Sequence, residues 1–245
     1  MKAAGFNNAT KLADEIAAKI RTLSSVKTEP VRAVRRTYSK QLAEAPAPYV
    51  IDVATRLLQK HDINRFVAYE LLKHHRAAAA SVRTSDLEKF GRGLNQWGDV
   101  DCFACFLSGP AWREHQISDK VVHRWAHSKD RWWRRVALVS TVPLNSRAQG
   151  GRGDTERTIE VCRLLVSDRD DMVVKAMSWA LRVLSKHDSK SVTRFLIEHR
   201  DVVAARVVRE VGNKLSTGLK TPRRAPGLAA VRDRAFDQGE KCFKD

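Results

Sequence analysis

The chain has 245 residues, 43% of them hydrophobic, which is enough to bury a sizeable core. Its 45 Lys and Arg against 28 Asp and Glu leave a formal charge of +17, which favours a polyanionic partner, nucleic acid before an acidic membrane surface. No apolar run of about 18 residues marks a membrane span. Lys11, Asp14, Glu15, Lys19 and Arg21 interrupt the layout of a secretory signal, so a cytoplasmic, bacterial-type, nucleoid-associated location is expected.

Periodicity is helical almost throughout, without a convincing strand. Leu12, Ile16, Ala17, Ile20 and Leu23 form the stripe of a first helix. Pro30 opens a second carrying Val31, Val34, Tyr38 and Leu42. The AEAPAP stretch (43–48) breaks the chain, and helices resume over 49–58, 63–72 and 84–94. Next comes the stretch on which the reading centres, 95–107 (NQWGDVDCFACFL), predicted as one helix capped by Asn95 or Asp99. Trp97 and Asp101 fall one turn apart there, on a common face. Further helices are predicted over 117–125, 130–142, 154–166, 170–184, 189–198 and 202–215, with QGGRG (149–153) as a flexible joint. From Thr217 the Pro, Gly and Arg content predicts a loosely ordered basic tail (217–245), leaving 1–216 as a single domain.

About a dozen short helices with short joints suit stacked antiparallel pairs. Two stretches, 135–144 (RVALVSTVPL) and 175–184 (KAMSWALRVL), set a basic residue ahead of an apolar stripe and begin 40 residues apart. That is close to the HEAT period. The expected fold is all-α: a curved superhelical stack of HEAT-like helix pairs, an α-solenoid, whose basic concave face can take a duplex.

Four cysteines make no disulfide framework in a chain this size. Cys102 and Cys105 form a lone CxxC inside an apolar pattern, and His123 and His127 a bare HxxxH without further zinc ligands. No metal and no cofactor is expected.

Three stretches in order, WGDVD (97–101), RWWRRVAL (131–138) and KAMSWALR (175–182), resemble the DNA alkylation repair family, the AlkD-like glycosylases of HEAT-like repeats. The similarity covers roughly residues 10–215. It departs from the family at Gln96 and at Gly98-Asp99, where a second Trp and an Asp-Ser step are usual, and its N-terminal helices match poorly. The resemblance implies hydrolysis of the N-glycosidic bond of cationic N3- or N7-alkylpurines in duplex DNA, without a base-flipping pocket. It places the catalytic carboxylate on Asp101, the lesion-flanking indoles on Trp97 and Trp179, and the backbone-gripping arginine on Arg135. Arg131, Arg134, Lys175, Arg182 and Arg206 are candidate supporting phosphate contacts. A monomer without an obligate protein partner is expected.

Those residue types suit that chemistry. An alkylated purine already carries positive charge and leaves without a general acid. The barrier is the oxocarbenium character of the deoxyribose, which a nearby carboxylate stabilises while orienting a water. Indole faces attract cations, and an arginine fork fits phosphate oxygens. Taken singly, Trp97 and Trp179 also read as packing residues, Asp101 as a first-turn acid, and Arg135 as a surface charge or the partner of an acid. Trp132 and Trp133 read as packing residues, one of them facing inward. The rival function is a noncatalytic scaffold that grips damaged or branched DNA, or a protein, through the same face.

Overall fold

The computed structural model describes residues 8–25 and 27–222. Every regular element among the described residues is helical. The order is α1 (Ala9–Arg21), α2 (Thr28–Gln41), α3 (Ala47–Leu58), α4 (Phe66–Lys73), α5 (Arg76–Ser81), α6 (Thr84–Phe90) and α7 (Trp97–Phe103). A π turn (Ala104–Ser108) then leads into α8 (Gly109–Arg113), α9 (Asp119–Ala126), α10 (Arg131–Val139) and α11 (Val142–Asn145). After a short 3-10 turn follow α12 (Thr155–Leu164), α13 (Asp171–Leu184), α14 (Ser189–Glu198) and α15 (Ala205–Thr217). No helix among the described residues is long and apolar enough to cross a membrane.

Local chemistry sets many of the starts. Asp130, Asp154, Asp170 and Asp188 each stand just ahead of a helix, and each accepts a hydrogen bond from a first-turn N–H. Such caps satisfy donors that the helix itself leaves open. At the far end, α15 stops at Gly218, whose φ of 74° is the left-handed conformation that glycine adopts freely.

The helices stack as an α-solenoid. One row runs α2, α4, α7, α10, α13, α15, each packed on the next, and α9, α12 and α14 follow one another in a second row. A single buried cluster extends from Ala9 to Val211. Within it the rings of Tyr69, Phe103, Trp133 and Trp125 touch in sequence, at centroid separations of 5.6, 6.2 and 5.2 Å. Trp133 is the inward member of its pair: a Cβ on Gly91 would lie 2.4 Å from its ring. Trp132 lies instead beneath the Arg131 guanidinium, 4.9 Å away.

Two local expectations need correcting, and α5 is not among the predicted helices. The helix predicted over 95–107 is not continuous, because α7 gives way to the π turn at Ala104. Pro110 supplies the cause: it has no N–H for the Phe106 carbonyl, and its ring crowds that carbonyl. The 149–153 stretch is a packed turn, not a flexible joint. Gly151 is buried, and a Cβ there would lie 2.5 Å from the Pro143 carbonyl oxygen. Finally, α5 forms over an alanine run without an amphipathic stripe and so escapes a periodicity reading. The predicted tail falls outside the described residues beyond Pro222, as does Cys242.

Charge also enters the core. The Glu70 carboxylate is 2% exposed and takes the Arg32 Nε on one oxygen and the Arg35 Nε on the other, both at 2.8 Å. This triad ties α2 to α4. An acid inside FVAYELLK was the available signal for it, since a carboxylate on so apolar a helix must find a cationic partner when buried.

Candidate nucleic-acid interface and active site

The centre of the site is a buried ion pair between neighbouring helices. Arg135 of α10 donates from Nε to Asp101 Oδ1 at 2.9 Å and from Nη2 to Asp101 Oδ2 at 2.8 Å. Its Nη1 donates to the Met172 carbonyl oxygen of α13 at 2.6 Å. One guanidinium thus joins α7, α10 and α13, the helices that carry the three stretches singled out in the sequence, although Met172 itself lies three residues ahead of the third stretch. The two side chains keep 6% and 8% of their surface, the larger fraction on Asp101. Burial pushes the Asp101 carboxyl up from its ordinary value, and the Arg135 charge and hydrogen bonds pull it back.

Trp97 is the first residue of α7, one turn ahead of Asp101, and is 41% exposed. It is the most exposed aromatic side chain among the described residues. Core packing therefore does not account for this indole. Trp179 lies two turns beyond Met172 on α13, half-buried against the core. The structure thus brings Asp101 and Arg135 into contact and sets each indole on a helix that this pair joins.

The basic candidates divide into two kinds. Arg134 is tied to Asp168 at 2.7 Å and to the Ser128 and Lys129 carbonyls, and Arg135 is buried, so neither is the open phosphate fork that the sequence suggested. Arg135 keeps two of its five N–H groups outside those three bonds. Arg131 is half-exposed and meets Asp170 only at 3.4 Å. Lys175 and Arg206 share Asp171, at 2.7 and 3.1 Å. Arg182 donates to Ser178 Oγ at 3.3 Å, and that hydroxyl donates to Glu210 at 2.6 Å.

Sequence reasoning missed the Met172 carbonyl, which no side-chain pattern reveals, and the pair Ser108 and Ser140. Their hydroxyl oxygens lie 2.7 Å apart, fully buried, with Ser108 the last residue of the π turn. A groove of about 930 Å³ opens beside that turn, floored by Phe106, Leu107, Pro110 and Ala111 and rimmed by Lys73 and Arg76. Cys102 and Cys105 are buried and form no disulfide, and burial pushes the Cys105 thiol well up. Among the described residues no cluster of three or more His, Cys, Asp or Glu side chains is placed to hold a metal ion. His127 turns its Nδ1 to the His123 carbonyl oxygen, 2.8 Å away.

A profile of the family described as DNA alkylation repair enzyme matches residues 6–215. The chain belongs to the DNA alkylation repair enzyme family. No curated protein and no solved structure gave a significant match. Membership gives the chain a role in the repair of alkylated DNA, with DNA as its partner. The match takes in every one of the described helices through α14 and nearly all of α15. In this member of the family Asp101 is clamped by Arg135 and the Trp97 indole is open.

Proposed function

We propose that the chain is a monofunctional DNA glycosylase that hydrolyses the N-glycosidic bond of cationic N3- and N7-alkylpurines in duplex DNA. The observation that carries this reading is Asp101, almost buried and held at both oxygens, one turn from an exposed indole. Each carboxylate oxygen keeps a second lone pair beyond the one used by Arg135. Those lone pairs stabilise positive charge on the deoxyribose and orient the attacking water. Arg135 holds the carboxylate in register and keeps it ionised against the pull of burial. Arg131, Lys175 and Arg182 grip phosphate oxygens. Trp97, with Trp179, favours a cationic base over a neutral one by cation–π attraction, worth about 0.5–2 kcal/mol per face.

The test is release of free 3-methyladenine and 7-methylguanine from methylated duplex by the purified protein with EDTA present. Recovery of free base is the expected result, and intact alkylbases throughout would overturn the reading. A noncatalytic DNA-binding scaffold is the second reading. It draws on the same geometry, because a carboxylate engaged at both oxygens also serves as a purely structural ion pair.

Trp97→Ala is expected to raise KM for alkylated duplex by about twofold to thirtyfold, the span set by about 0.5–2 kcal/mol. Its Tm stays close to that of the parent, because the exposed ring contributes little to the core. A loss of several degrees in a thermal melt would assign the ring to packing.

A further inference from the structure

We propose that the π turn at Ala104–Ser108, together with the Ser108–Ser140 pair, is a register device that aims Asp101 at its working position. Ser108, Ser140 and Pro110 are thereby positioning residues for the reaction. This inference rests on the glycosylase reading for its kinetic half only.

The α7 segment is pinned to α10 at two points. The first is the Asp101–Arg135 pair, at 2.9 and 2.8 Å, and the second the Ser108–Ser140 hydroxyl contact at 2.7 Å. Both contacts run in the same chain direction, so the two segments lie parallel between them. Along α10 the pins are five residues apart, and along the α7 side seven. At the α-helical rise these spans are about 7.5 and about 10.5 Å, an excess of about 3 Å. A π turn loops out one residue without advancing the axis and so removes about 1.5 Å, half of that excess. Reach in the long Arg135 side chain spans the remainder.

The downstream end has no slack of its own. A Cβ on Gly109 would lie 2.7 Å from both the Pro143 Cγ and the Ser140 carbonyl oxygen, so α8 is seated tightly on α11 and the end of α10. Gly109 N–H closes the π turn on the Ala104 carbonyl, and Pro110 next to it has no N–H with which to restore the α ladder. With the downstream end fixed, a turn that regularised would push α7 along its axis and rotate it. Asp101 would then leave the Arg135 fork.

Two variants test this. Pro110→Ala supplies the missing N–H and lets the turn close as α-helix. Ser108→Ala combined with Ser140→Ala removes the second pin without stranding a lone buried hydroxyl. Two readouts are taken on each: the titration midpoint of Asp101 by carboxyl carbon NMR, and single-turnover release of 7-methylguanine. The expected results are an upward shift of about one pH unit, as the Arg135 contribution weakens, and a rate loss of about tenfold or more. Affinity for undamaged duplex stays at the parent value, and Ser140→Thr alone, which keeps a hydroxyl opposite Ser108, retains the parental rate and midpoint. Parental midpoints in both variants would overturn the proposal, whatever the rate. Should the parent protein release no base, the glycosylase reading fails, and the midpoints alone decide the register device.

Discussion

Asp101→Asn lowers single-turnover excision of 7-methylguanine by a factor of about 10² or more, while affinity for undamaged duplex changes little. The amide keeps the size of the side chain and one acceptor oxygen, but it carries no charge to set against the oxocarbenium. It also turns an NH₂ group toward a guanidinium nitrogen that the carboxylate now accepts from at 2.8 or 2.9 Å. Some stability is therefore lost as well, and duplex affinity is the measurement that separates a folded, inactive protein from a damaged one. Equal loss of binding and turnover would count against catalysis. Excision by the parent protein falls as the pH drops through a midpoint above the ordinary aspartate value. On the proposed glycosylase reading the ionised carboxylate is the working form, and burial raises its midpoint.

The largest stability effect is expected at Arg135. Arg135→Ala leaves the Asp101 carboxylate buried without its cation and frees the Met172 carbonyl, at a cost of about 3–5 kcal/mol in urea denaturation. Arg135→Lys recovers part of this at most, because a single ammonium cannot bond both carboxylate oxygens in the planar fork geometry. The alternative is an open phosphate contact. In that case Arg135→Ala would cost under about 1 kcal/mol and lower the salt slope of DNA binding by about one unit. The 5% exposure of the residue favours the first outcome.

Helices that carry both a capping aspartate and an apolar stripe are the legible part of this chain. The span predicted at 189–198 is α14 to the residue, and those at 170–184 and 130–142 contain α13 and α10 with their caps. The 40-residue offset between Arg135 and Lys175 likewise marks two consecutive helices of one row. What escaped the sequence is long-range partnership. A charged residue on a helix reads as solvent-facing until its counter-ion is known, and Asp101 lies 34 residues from Arg135. The π turn escaped for a different reason: Phe103, Ala104, Phe106 and Leu107 keep the apolar pattern running, and only Pro110, three residues past it, disturbs the ladder. Gly151 was misjudged because glycine signals looseness and close approach with the same letter; a neighbouring carbonyl decides between them. Trp97 could be weighed only as ring or ligand from its neighbours in sequence, and its place at the first position of α7 is what leaves it open.

The Arg32–Glu70–Arg35 triad reaches beyond its own two helices. Those three side chains sum to one positive charge enclosed where mobile ions cannot gather, and a low-dielectric interior carries that potential outward instead of damping it. Burial holds the Lys73 and His74 pKa values below their ordinary positions at the end of α4; Arg35 is the next cause at His74, whereas at Lys73 the Glu70 carboxylate opposes the shift. An attraction for phosphate that originates inside the fold fades more slowly with added salt than one carried by surface lysines. The positive potential at the N-terminal end of the row is therefore less sensitive to added salt than the potential set by exposed lysines.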